Sequence, residues 1–312
     1  MSFEVDILAV GEDSKSGDAF ALRFGDFINN PGNQRVVVID GGFKDSGERL
    51  VKRIQEEYGT NHVDLVISTH PDNDHISGLH VVLEKLDVDL LWMHRPWNSS
   101  NEVKKIAEDR SLIAELNANT IKKSLESAYD LEKLATRKGV TIEEPFQGKS
   151  AFDNVIRVLG PSENFYLSLV GNFEKSSFYS ISEKAKRLIS EVWHKDELVE
   201  PESNAVSPRN NSSAVLLVCL GEDHFIFCGD AGVEALHHAT DYADGAGYDI
   251  ASKVGYYHIP HHGSKRNLGP SILDRIIGPI QSLGQINQKH AFISAAADGD
   301  PKHPSKRVVN AL

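Results

Sequence analysis

At 312 residues, with 40% hydrophobic and 25% charged residues, the chain can bury one large core or two modest ones and has the composition of an ordinary globular protein. Its formal net charge of −12 argues against a general nucleic-acid binder, which needs clustered lysine and arginine. It leaves a nuclease open, because metal can neutralise ligand carboxylates. The N-terminus, Met1-Ser2-Phe3-Glu4-Val5-Asp6, lacks a basic start and a long apolar stretch, and no apolar run approaches the roughly 18 residues of a membrane span. A cytoplasmic protein without a membrane partner is expected.

Three strand-like segments come first, Val5 to Val10, Ala19 to Phe24 and Arg35 to Asp40, separated by Gly, Asp, Ser and Asn clusters. The third ends in Asp40-Gly41-Gly42, where glycine lets the backbone turn tightly. Asp18 and Asp40 sit at turns, where Asp has a local hydrogen-bonding use, and Asp40 is also a candidate for supporting ligands nearby. A helix with Leu50, Ile54 and Tyr58 on one face follows.

An apolar run (Val63, Leu65, Val66, Ile67) then leads into Ser68-Thr69-His70-Pro71-Asp72-Asn73-Asp74-His75, and a helical pattern (Ile76, Leu79, Val82, Leu83, Leu86) leaves it. This is a strand, a ligand-rich turn and a helix. Alternation throws His70 and Asp72 to one side, while Asp74 and His75 face a second position. Helix capping alone would use one carboxylate, not two with flanking histidines. The cluster suits one or two divalent ions.

Leu90 to Met93 reads as a strand ending at His94, and 101 to 138 as helical, with Ile113, Leu116, Ile121, Leu125, Ala128, Leu131 and Ala135 on a buried face. Val140 to Ile142 and Val155 to Leu159 are predicted strands. Residues 162 to 200 carry an aromatic-bearing helical pattern, either a lid or a core-covering helix pair, and Glu200 to Asn211 reads as a loop. Ala214 to Leu220 and His224 to Cys228 form a predicted hairpin, ending in Gly229-Asp230-Ala231-Gly232 and a helix from Val233 to Thr240. The cysteines, Cys219 and Cys228, read as buried free thiols. Val254 to Ile259 is a strand ending at Pro260-His261-His262-Gly263-Ser264, and His290 to Ser294 is another, leading to Lys302-His303-Pro304-Ser305. Polar chemistry thus collects at the C-terminal ends of strands, namely His70, Asp72, Asp74, His75, Asp230 and His261 or His262, in an α/β layered fold.

This pattern resembles the metallo-β-lactamase superfamily, and more closely the hydrolase domain of the ComEC/Rec2 DNA-uptake proteins. The resemblance rests on Val10-Gly11, Gly17-Asp18-Ala19, Ile39 to Gly42, Ser68 to His75, Asn210-Asn211-Ser212-Ser213, Cys228-Gly229-Asp230, Pro260 to Ser264 and His303-Pro304. It implies a four-layer αββα sandwich as a single domain over 1–312, with helical insertions at about 98–139 and 162–200. It further implies two divalent metal ions, His70 and Asp72 on the first, Asp74, His75 and His262 on the second, and Asp230 bridging. His261 would face the substrate or donate a proton, and His303 is a second candidate for that role.

Asp72 stands where most of the superfamily has a second His, and Asn210 or Asn211 where another His is expected. An oxygen-rich site weakens the preference for zinc and admits manganese. Hydrolysis of a phosphoester or phosphodiester fits, with an anionic small molecule or a nucleic acid as substrate and Asp74, His261 and His303 as catalytic candidates. Ser264, Lys265 and Arg266 could grip an anion. Cleavage of a small ester, thioester or lactam is the second hydrolytic reading, and a non-catalytic metal-binding regulatory module is the third. Near the C-terminus the second sheet is expected to show an exposed edge, or a contact with a protein partner or a second copy, unless residues 140 to 160 supply the missing strand.

Overall fold

The computed structural model describes residues 1–12, 15–99, 118–173, 193, 195–202, 204–281, 289–296 and 303–312. They form a mixed α/β structure with two six-stranded sheets and helices, as expected, and the chain divides into two compact units.

The first unit comprises Met1–Trp97, Ala118–Pro145 and Ser294–Asp300. Its elements are β1 (Ser2–Ile7), the small hairpin β2 (Gly11–Glu12) and β3 (Lys15–Ser16), β4 (Ala19–Gly25), β5 (Gln34–Gly41), α1 (Lys44–Glu56), β6 (His62–Ile67), α2 (Asn73–Lys85), β7 (Asp87–Trp92), α3 (Ala118–Ser124), α4 (Glu126–Lys138) and β8 (Thr141–Glu143). The sheet runs β1-β4-β5-β6-β7-β8. Its first pairings are antiparallel and those from β5 to β8 are parallel. Parallel strands covered on both faces need apolar residues in unbroken runs. Val36 to Ile39 and Leu65 to Ile67 supply them and are fully or almost fully buried.

Parallel pairing also brings the C-terminal ends of β5, β6, β7 and β8 to one edge, with Ile39 beside Ile67, Ile67 beside Trp92, and Trp92 beside Glu143. The segments that follow, carrying Asp40, Thr69-His70, His94 and Glu144, therefore start level. Helix α2 is seated on this edge by glycine. A methyl group on Gly78 would collide with the Gly41 carbonyl, one on Gly47 with the Gly78 carbonyl, and the Gly78 amide donates to the Gly42 carbonyl at 2.8 Å. Helix α4 buries Ala128, Leu131, Leu134 and Ala135 and ends at Gly139, whose left-handed φ of 75° suits a residue without a Cβ.

The second unit comprises Asn98–Asn117, Phe146–Ile293 and Pro301–Leu312. It contains β9 (Ser150–Ala151), β10 (Ile156–Gly160), α5 (Glu163–Val170), α6 (Pro208–Asn211), β11 (Val215–Leu220), β12 (Asp223–Phe227), α7 (Val233–Gly245), α8 (Ile250–Lys253), β13 (Tyr256–His258), α9 (Pro270–Ile276), β14 (His290–Phe292) and α10 (Lys306–Ala311). The sheet order is β14-β13-β12-β11-β10-β9, antiparallel from β9 to β12 and parallel from β12 to β14. One face packs Val215, Leu217, Ile226 and Tyr257 into a core with Leu236, Ala239 and Ile272. Aromatic rings line β12, β13 and β14, with Phe225 stacked on Tyr256 at 4.3 Å.

Several expectations change in detail. The stretch 140 to 160 is shared, β8 joining the first sheet and β9 and β10 the second. Strand β14 ends the second sheet, and among the described residues no strand pairs with its outer side. The expected loop at 200–211 closes in a helical turn, started by Ser207, whose hydroxyl accepts from the Asn210 amide. Of the two helical insertions, 118–138 is helical and belongs to the first unit, and Glu163–Val170 is helical, whereas the expected helical residues at 100–117 and 174–192 lie outside the described residues. The cysteines are free, but only Cys228 is buried; Cys219 is partly exposed.

Candidate metal centre

In the first unit, β6 delivers Ser68-Thr69-His70 and α2 begins directly after Asp72. Asp72 occupies the N-cap position, yet its side chain makes no capping hydrogen bond. Its carboxylate instead lies 3.9 Å from His70 Nε2. The rings of His70 and His75 are 4.2 Å apart between centroids, at 58°. Both histidines are buried, at 2% and 0% exposure, while Asp74 is partly exposed.

Asp40 governs both rings. It adopts a left-handed φ of 52°, a region where Asp is several-fold enriched among non-glycine residues, and is wholly buried. Its Oδ1 accepts from the Thr69 amide at 2.8 Å, and its Oδ2 accepts from the Thr69 hydroxyl at 2.7 Å and faces His75 Nδ1 at 2.9 Å. A carboxylate only accepts, so His75 Nδ1 carries the proton. The Thr69 hydroxyl spends its own proton on Asp40 and can only accept at His70 Nδ1, 3.1 Å away, so that nitrogen is protonated as well. One carboxylate thus fixes two imidazoles with Nε2 as the nitrogen left for a ligand. This is the support that metal-binding histidines require.

Asp18 completes this environment, 3.7 Å from His75 Nδ1, and its amide donates to the Asp74 carbonyl. A side chain on Gly17 would run into that carbonyl, which explains glycine there. Although Asp18, Asp40 and His75 could each bring a ligand atom within 4.8 Å of the others, Asp40 and His75 Nδ1 are spent on each other. This group orients the His75 ring, with Asp40 and His75 Nδ1 bonded to each other rather than turned toward an ion.

In the second unit Asp230 follows β12. Its Oδ2 accepts from Asn210 Nδ2 at 3.0 Å, and its amide donates to the Ser213 hydroxyl at 3.1 Å. Asn211 accepts from the Gly232 amide. The Asn-Asn-Ser-Ser segment therefore holds the Asp230 loop. His261 and His262 follow β13 in a tight turn with left-handed φ values of 47° and 55°. Non-glycine residues in this region store strain, a feature concentrated at functional sites. His262 is buried, whereas the His261 side chain is about a third exposed, with Nε2 3.6 Å from Asp230 Oδ2. His303 joins them, its ring 5.3 Å from that of His261 and 6.2 Å from that of His262. A side chain on Gly263 would meet Pro304, so this glycine allows the His303-Pro304 loop to approach. Ser264, an expected anion-gripping residue, is buried, and its hydroxyl accepts from the Arg266 amide inside the turn.

Within each unit the structure groups the expected residues: His70, Asp72, Asp74 and His75 in the first; Asp230, His261, His262 and His303 in the second. Nitrogen and oxygen donors held this way fit divalent ions, and the mixture suits zinc or a harder ion. His94 is different. Burial pushes its pKa below the usual value, and Glu144 at 3.8 Å only partly opposes that. The group His62, Asp64 and Asp89 lies at the opposite ends of the strands, and Asp64 already accepts from Arg35 and from the Val36 amide. Sequence reasoning raised Asp40 but not the extent of its role, and missed Asn267, whose contacts are described below.

Residues 27–111, which include Asp40 and the whole His70 to His75 motif, match the family model of the metallo-beta-lactamase superfamily. No curated protein matches the chain. Among solved structures it is similar to a candidate metallo-beta-lactamase from Thermotoga maritima, at 12% identity and a TM-score of 0.39 over 78% of this chain and 92% of that one. It is also similar to metallo-beta-lactamase SMB-1 bound to 2-mercaptoethanesulfonate, at 6% identity and a TM-score of 0.35 over 80% of each chain. A metallo beta lactamase from Hirschia baltica aligns at 10% identity and a TM-score of 0.29 over 78% of this chain and 85% of that one.

Proposed function

We propose that this chain is a metal-dependent hydrolase in which two divalent ions, zinc or manganese, serve the cleavage of a phosphoester or phosphodiester, as in the ComEC/Rec2-like proteins it resembles. The observation that carries this reading is the common orientation of His70, His75 and His261. Each has Nδ1 engaged by a protein group, which leaves Nε2 for a ligand or a proton.

In this reading His70 and Asp72 would hold one ion, Asp74, His75 and His262 the other, and Asp230 would serve both. Bound divalent ions supply Lewis acidity and lower the pKa of water toward about 7. His261, the more exposed of the adjacent pair, would pass a proton from Nε2 to the leaving oxygen when its ring carries both protons, and His303 beside it is the second candidate. Asp72, where a histidine is the rule, adds an oxygen donor, and Asn210 or Asn211 in place of another histidine takes a nitrogen donor away, which makes manganese a fitting ion. The substrate is an anionic small molecule or a nucleic acid.

The test is hydrolysis of bis-nitrophenyl phosphate by the purified chain, paired with elemental analysis. Two equivalents of metal and turnover abolished by Asp74→Ala or Asp230→Ala are expected. Turnover unchanged in those variants overturns the reading. Two bound equivalents with no turnover across ester and phosphoester panels would favour a regulatory metal-binding module.

A further inference from the structure

Asn267 lies three residues beyond Ser264, is 1% exposed, and belongs to no conspicuous motif. Its Nδ2 donates to the Asp230 carbonyl at 2.8 Å and to the Ala231 carbonyl at 3.3 Å, and its Oδ1 lies 3.0 Å from His261 Nδ1. Both carbonyls are acceptors, so only the NH₂ end of the amide can face them. The amide orientation is therefore fixed by chemistry, and Oδ1 must point at His261. An amide oxygen only accepts, so His261 Nδ1 carries a proton, which leaves Nε2 on the side of the Asp230 carboxylate.

We propose that Asn267 is a positioning residue of the candidate centre, coupling the Asp230 main chain to the His261 ring and holding that ring in its Nδ1–H form. The turn is built to present it. The Asn267 amide donates to the Ser264 carbonyl, the Ser264 amide to the His261 carbonyl, and the His261 amide to the Gly229 carbonyl. Asp230 and His261 lie on separate loops after neighbouring parallel strands, and one buried side chain ties them together. Asn suits this task because it donates and accepts at once. Leucine, of similar size, does neither, and aspartate accepts only. The ring orientation follows from contacts alone; its use in passing a proton, and that of Asp230 at a metal, rest on the function proposed above.

The experiment is long-range ¹H–¹⁵N correlation of the imidazoles in the labelled full chain, metal-free, at about pH 8, where an ordinary histidine is neutral. His261→Gln assigns the signal. The wild type is expected to show the Nδ1–H form at His261. Asn267→Leu should move it toward Nε2–H and, by releasing the Asp230 main chain, weaken manganese or zinc binding about 10- to 100-fold by calorimetry. Asn267→Asp, which keeps the acceptor, should retain the Nδ1–H form. Wild-type His261 found as Nε2–H overturns the proposal, as does a folded Asn267→Leu with unchanged tautomer and affinity. If Asn267→Leu does not fold, the wild-type spectrum and Asn267→Asp still decide. Expected tautomers with no phosphoester turnover would support Asn267 and count against the reaction.

Discussion

Asp40 in the first unit and Asn267 in the second do the same work with different chemistry. Asp40 is a buried carboxylate, so it gathers donors and fixes two imidazoles, one directly and one through Thr69. Asn267 is a buried amide, so it fixes one imidazole and uses its donor end to hold main chain. The carboxylate serves more partners, but losing it strands more of them. The amide serves fewer, and its loss is milder because it carries no charge. The contrast shows how one requirement, an imidazole with a defined tautomer, is met according to what surrounds it. Around Asp40 the neighbours are donors, whereas around Asn267 they are carbonyls and one imidazole.

The largest expected effect is that of Asp40→Ala. It leaves the Thr69 amide and hydroxyl and His75 Nδ1 buried without an acceptor, and should cost about 3–5 kcal/mol in urea unfolding. Asp40→Asn tolerates the left-handed backbone and should cost less. If both cost no more than Asn267→Leu, expected at about 1–3 kcal/mol, the distinction between carboxylate and amide collapses. Next comes Gly78→Ala, which leaves the Asp40 carboxylate and its bonds to Thr69 in place but pushes α2, and His75 with it, off its seat. A loss of about 3 kcal/mol is expected, together with weaker metal binding, measured by the same unfolding and by calorimetry.

A smaller effect separates His94 from the supported histidines. Its folded-state pKa is lowered by burial, so the unfolded chain takes up the proton first as pH falls through about 6.5. Its contribution is complete above that pH and shrinks below it, by at most about 1.4 kcal/mol per pH unit. His80, lowered for the same reason, adds a parallel dependence. Thermal unfolding of His94→Gln between about pH 8 and 5.5 should show a flatter profile than the wild type. The smallest effect is that of Tyr58→Phe, which removes a 2.6 Å hydrogen bond to Asp6 remote from either orienting group. It should cost about 1 kcal/mol and leave metal affinity unchanged.

Much of this was legible in the sequence where the signal is local. The apolar runs into Asp40, His70 and Asp230 foretell strands, and the ligand-rich turn after Ile67 foretells where donors gather. The helix pattern of Ala128, Leu131 and Ala135 foretells the buried face of Glu126–Lys138. What could not be read was pairing at a distance. Asp40 finds Thr69 and His75, 29 and 35 residues away, only once β5 and β6 lie side by side. Asn267 escaped notice because its donors meet backbone carbonyls 36 and 37 residues away, and a carbonyl has no letter in a sequence. The turn at Pro208–Asn211 was hidden because Pro, Ser and Asn mark loops and helix starts alike.

The contact of Gly78 with Gly41 makes α2 an indexed part. Main chain rests on main chain, so there is no rotamer to yield and no clearance to take up. His75 lies one turn before that stop, and its distance to Asp40 is gauged by two backbones rather than by the shape of neighbouring side chains. Substitutions on the exposed face of α2 can therefore accumulate while the ring keeps its setting, and a single added carbon at the stop would shift it.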